Sequence, residues 1–119
     1  MSVDYTTRLC YGMVIPFEIA EKINDRVNDF SSTNPKARDL FFDNYFSILN
    51  LWGYGEEGSF LGFSTYLGED CEEILIDDLL KKEIYTPDDM VEFQKLYVLF
   101  RLNDFIQWKP RRSIITFCY

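Results

Sequence analysis

The segment TPDDMVEFQKLYVLF, Thr86 to Phe100, constrains the fold of this chain more than any other. Thr86 suits an N-cap. Pro87 suits the first helical position, where its missing N–H would have had no partner, and Asp88 and Asp89 meet the positive end of the helix dipole. The pattern predicts a helix from Thr86 to about Asn103 or Phe105, burying Phe93, Leu96, Tyr97 and Phe100. A helix with such an apolar stripe needs a surface to lie on.

The rest of the chain offers that surface. RLCYGMVI, Arg8–Ile15, is short and apolar and reads as a strand. Pro16 suits a first helical turn, and Ile19, Ile23, Val27 and Phe30 then draw one stripe on a helix from about Pro16 to Phe30. Glu18 and Lys22 sit four apart on its wet side. SSTNP breaks the chain, with Asn34 as a cap and Pro35 opening a second helix. That helix runs towards Leu49, or gives way to a strand near Tyr45; a strand around Leu49–Tyr54 is favoured. GYGEEG, Gly53–Gly58, is a turn by its glycines. SFLGFSTYL alternates, with Leu61, Phe63, Thr65 and Leu67 on one face and Phe60, Gly62, Ser64 and Tyr66 on the other. SIITFCY, Ser113–Tyr119, is a last strand. The expectation is a single globular α+β domain over residues 1–119, with about three helices packed on one layer of mostly antiparallel strands.

Charge separates the chain into unequal parts. The net charge is −8 in 119 residues. Glu56 to Asp89 holds 11 acids against Lys81 and Lys82, a net of −9, while the remainder holds 9 acids and 10 bases, a net of +1. Within LGEDCEEILIDDLL, six carboxylates fall between Glu69 and Asp78, threaded among Ile74, Leu75, Ile76, Leu79 and Leu80. A short helix or a short strand would bury Ile74, Leu75, Leu79 and Ile76 and keep Glu72, Glu73, Asp77 and Asp78 wet. Repulsion between close like charges costs a few tenths of a kcal/mol per pair on a helix. Solubility alone would be served by scattering them, whereas a concentrated acidic surface complements a basic groove and speeds encounter with it. Nucleic acid and anionic lipid are disfavoured as direct partners.

Catalytic constellations are hard to assemble. There is no histidine, which removes the Ser-His-Asp and Cys-His systems and the commonest metal ligand. Cys10, Cys71 and Cys118 form no CxxC pair and read as reduced thiols of a cytoplasmic protein. GYGEEG lacks the Lys of a phosphate loop, and GEDCEEILIDD lacks the alternating ligands of an EF-hand. The start lacks a secretory pattern, and no apolar run is long enough for a membrane span. KPRR, Lys109–Arg112, beside Trp108, is either a contact for phosphate or an acidic partner, or a solvated turn that counterweights the acidic segment. Eight tyrosines supply amphipathic surface of the kind found at interfaces.

Glu69, Asp70, Glu72, Glu73, Asp77 and Asp78, supported by Glu56 and Glu57, give the chain a resemblance to small acidic phage-encoded inhibitors that imitate DNA, of the anti-CRISPR and anti-restriction kind. The resemblance covers the centre of the chain. It implies a non-enzymatic protein of the host cytoplasm, without metal or cofactor, whose acidic face docks on the basic nucleic-acid-binding groove of another protein. Tyr54, Tyr66 and Trp108 would form the aromatic edge of that face, and a homodimer is compatible with it. Two other classes fit the same residues: a bacterial cytoplasmic structural or immunity-type protein-binding subunit, and a small metal-dependent hydrolase using the clustered carboxylates.

Overall fold

The computed structural model describes residues 5–30, 32–50, 57–68 and 76–118. The element order is β1 (Tyr5–Pro16), α1 (Phe17–Asp29), α2 (Pro35–Asn44), β2 (Phe46–Asn50), β3 (Glu57–Gly68), α3 (Ile76–Lys81), α4 (Pro87–Leu99), a 3₁₀ turn (Leu102–Asp104) and β4 (Arg111–Cys118). The four strands form one open sheet in the order β2-β3-β1-β4, antiparallel throughout. The expected α+β class is borne out, with four α-helices among the described residues.

α4 starts as its sequence predicts. Thr86 Oγ1 accepts from the Asp89 N–H at 3.2 Å while the Asp89 carboxylate accepts from the Thr86 N–H at 2.9 Å, so two orphan donors are satisfied reciprocally. Its far end comes earlier than expected. Arg101 turns left-handed at φ 52°, and the chain continues as a 3₁₀ turn. In α1, Pro16 stands at the cap with extended ψ, and Phe17 is the first helical residue. Asn34 occupies the cap of α2 without a capping bond from its side chain, which turns to Thr33 instead. Glu18 and Lys22 are both exposed, and no ion pair joins them; among the described residues the one ion pair is Arg26–Asp104 at 2.6 Å. β2 begins at Phe46, three residues before the expected strand, because Tyr45 ends α2 and Phe46 pairs with Leu61.

All helices lie against one face of the sheet. The core there is Ile15, Leu61 and Phe63 from the strands, Ile23 and Val27 from α1, Phe41 from α2, and Phe93, Leu96 and Phe100 from α4. The expected stripe positions Ile23, Val27, Phe93 and Phe100 are all at most 1% exposed. Aromatic rings dominate the packing: Phe41 meets Phe100 edge-on at 5.4 Å, and Phe93 meets Phe63 at 5.2 Å and Tyr45 at 5.5 Å. Such pairs add about 0.5–1.5 kcal/mol each beyond their buried area.

Among the described residues the opposite face carries no helix, yet Cys10 is fully buried there and Phe60 nearly so, with Ile115 packed against them. β2 and β4 are the two edges, and strands spaced about 4.8 Å apart would hold them about 14 Å apart in a flat sheet. Their Cα atoms come within 8 Å, so the sheet rolls strongly without closing. The roll is creased where Gly12 and Gly62 pair. A Cβ on Gly12 would stand 2.2 Å from the Leu61 carbonyl oxygen, and Gly62 has φ 141°, so only glycine fits either position.

Candidate functional site

The acidic segment enters the described structure at α3. Asp77 is exposed on that helix, and Asp78 follows it. Leu79 is half-buried, and Leu80 is 67% exposed. Glu57 opens β3 opposite Asn50. Glu56, Glu69, Asp70, Glu72 and Glu73 lie outside the described residues, as do Ile74, Leu75 and the GYG part of the expected turn.

Two basic residues fasten α3. Arg112 donates to the carbonyls of Leu79 at 2.8 Å and Lys82 at 3.1 Å, at the C-terminal end where a cation meets orphan acceptors and the negative end of the dipole. Lys82 Nζ donates to the Tyr66 carbonyl at 3.0 Å. KPRR therefore contributes one residue, Arg112, to holding the acidic helix against the sheet. Arg111 lies on the other face of the sheet, since it pairs with Gly12 while Arg112 pairs with Tyr11.

Of the expected aromatic edge, Tyr66 is 46% exposed on β3, and the Lys82 bond brings it to the end of α3. Trp108 is half-buried, its ring 4.7 Å from Phe93, so it packs on the core more than it projects. Tyr54 lies outside the described residues.

Further carboxylates stand beyond the acidic segment. Glu18, Glu21, Asp25 and Asp29 line the wet side of α1, and Asp39 and Asp43 that of α2. Sequence counting hid them, because the +1 remainder sums them with ten cations, of which Lys22, Arg26, Lys36, Arg38, Lys95 and Arg101 lie on the helices or their connections and Arg8, Lys109, Arg111 and Arg112 on β1, β4 and the approach to β4. Asp89 and Glu92 are tied down: Asp89 closes the α4 capping box, and Glu92 accepts from the Tyr45 hydroxyl at 2.6 Å. Burial first, then the Glu92 bond and its charge, push the Tyr45 phenol up and keep it neutral. Burial likewise raises Tyr97, whose hydroxyl donates to the Ile106 carbonyl at 3.0 Å. Cys10 is pushed up to about 11 by burial, with the nearby Arg8 charge pulling weakly the other way.

Among the described residues no group of three Cys, Asp or Glu side chains converges as a metal site. No helix among them is long and apolar enough to cross a membrane. The chain matches no family model, and neither curated proteins nor solved structures yielded a significant match.

Proposed function

We propose that this chain is a non-enzymatic binding protein whose acidic helical layer docks on a basic surface of another protein. The partner class that fits best is a nucleic-acid-handling host factor, inhibited by occupation of its basic groove, as by a phage or mobile-element accessory protein. One observation carries the reading. Ten Asp and Glu side chains of the described helices and their connections are exposed, from Glu18 to Asp104, and Asp104 alone is held in an ion pair. Carboxylates that do no internal work are available to a partner, and their shared sign steers a cationic surface towards them.

The test is capture from a bacterial lysate, followed by kinetic binding to the captured protein at several salt concentrations. Two amide-for-acid variants are compared with wild type, one at Glu72, Glu73, Asp77 and Asp78, the other at Glu18, Glu21 and Asp25. The expected result is a slower on-rate and a shallower salt dependence in at least one variant, with folding intact. Equal on-rate and equal salt slope in both would remove the acidic surface as the docking site.

A further inference from the structure

In this acidic chain, one cavity is lined by cations and by no acid. It has a volume of about 390 Å3 and is lined by Gly12, Met13, Val14, Phe60, Lys109, Arg111 and Ser113. The register explains how it arises. Arg111, Gly12 and Gly62 occupy one row across the sheet, Ser113, Cys10 and Ser64 the next, and Val14 pairs with Phe60 on the other side. Residues directly opposite in a ladder share a face, so the glycine row leaves a gap between two rows that carry side chains. The Phe60 ring leans across that gap, its tip 2.7 Å from where a Gly12 Cβ would be, and gives the cavity an aromatic wall.

Two positive charges flank this apolar floor. Arg111 is exposed at the start of β4, on the same row as the glycines. The Lys109 backbone is held to β1 by its N–H, 3.3 Å from Met13 Sδ, which fixes where the exposed ammonium starts. Neither cation forms an ion pair with a described carboxylate. Val14 is 52% exposed, an apolar surface left open beside them.

We propose that this cavity binds a small amphipathic anion: a carboxylate or phosphate group carried on an apolar or aromatic body. The anion pairs with Arg111 and Lys109, with the Ser113 hydroxyl as a neutral donor, and the body covers the exposed Val14 beside the buried Phe60. The volume falls in the range of small-molecule sites, which combine apolar lining with a few placed polar groups. This site is independent of the acidic surface and would stand if that surface proved inert.

Phenyl phosphate is a suitable probe, titrated into ¹⁵N-labelled protein and followed by amide chemical shifts. Saturable shifts are expected at Gly12, Val14 and Ser113. Lys109→Gln and Arg111→Gln should each weaken binding by about tenfold, as for loss of one charged hydrogen-bonding partner. Lys81→Gln should leave it unchanged. Spectral dispersion in the same experiment reports whether each variant is folded. Phenol and inorganic phosphate alone should each bind far more weakly than phenyl phosphate. Absence of saturable shifts at these amides, or wild-type affinity in either Gln variant, would overturn the proposal. So would inorganic phosphate binding as well as phenyl phosphate, which would mark an adventitious phosphate site.

Discussion

The helical layer and the bare face of the sheet differ in both charge and packing. Residues 17–44 and 76–104 carry 13 acids and 8 bases, whereas the strands and Lys109 carry Glu57 against Arg8, Lys109 and Arg111, with Arg112 turned to α3. The helical side buries a thick aromatic core, while the bare side buries Cys10 and Phe60 with Ile115 against them. The difference teaches that net charge describes this molecule poorly. A partner approaching the helices meets carboxylates, and one approaching the start of β4 meets guanidinium and ammonium groups. Opposite faces can therefore recognise opposite chemistry, and a change on one should leave the other alone.

Packing gives the largest test of that comparison. Phe100→Ala removes a fully buried ring from the helical core and should cost about 3–5 kcal/mol, read as a fall in the denaturation midpoint at constant slope. Phe60→Ala should cost no more than the lower end of that range, because its described cluster is small and no described helix packs behind it. A larger loss at Phe60 would make the bare face the main source of stability and invert the comparison.

Titration comes next. In the unfolded chain Cys10 ionises near 9, and in the fold near 11. The folded state holds the proton more tightly, so the stabilisation relative to thiolate is complete below pH 9 and lost as pH rises through 11. The loss is about 2–3 kcal/mol for a shift of this size. Tyr45 and Tyr97 add slope of the same sign at higher pH. Urea denaturation of wild type and Cys10→Ala between pH 8 and pH 11 isolates the cysteine part; parallel curves would mean that the bare face does not keep Cys10 dry.

The smallest effect is expected on the outside of the helices. Replacing Glu18, Glu21 and Asp25 by amides should change stability by no more than about 0.5 kcal/mol each, with relief of repulsion favouring a slight gain. A clear loss in thermal denaturation would show these carboxylates at work inside the fold and unavailable to a partner.

Local signals were legible in the sequence where one element decides its own structure. Thr86-Pro87-Asp88-Asp89 announced α4, and the spacing of Ile23 and Val27 gave the buried side of α1, since both follow from helix geometry alone. The alternation of β3 separated Leu61 and Phe63 from Phe60 correctly, but it could not say that Phe60 would be buried without a helix. Its ring lies over Gly12, which pairs with Gly62 far away in sequence. The sequence leaves the start of β2 open between Tyr45 and Leu49 for a similar reason: Phe46 is a strand residue because Leu61 is there to pair with it. The basic cavity was out of reach too. KPRR was visible, but Arg112 turns to α3 while Arg111 joins the glycine row, and only the register separates neighbouring arginines into a structural tie and a free cation.

The pairing of β1 with both β3 and β4 also sets the order of assembly. Helices α1 and α4 close contacts a few residues apart, whereas Leu9 must find Ile114 and Gly12 must find Arg111 across nearly the whole chain. Long-range pairing of this kind bears the full loop-closure entropy before it is rewarded, and so comes late and slowly. Until β4 arrives, β1 is an exposed edge, with the hydrogen-bonding groups of an apolar strand open to any other extended chain. The strand at the centre of the finished sheet is the one most vulnerable to mispairing during folding, and the arrival of β4 ends that exposure.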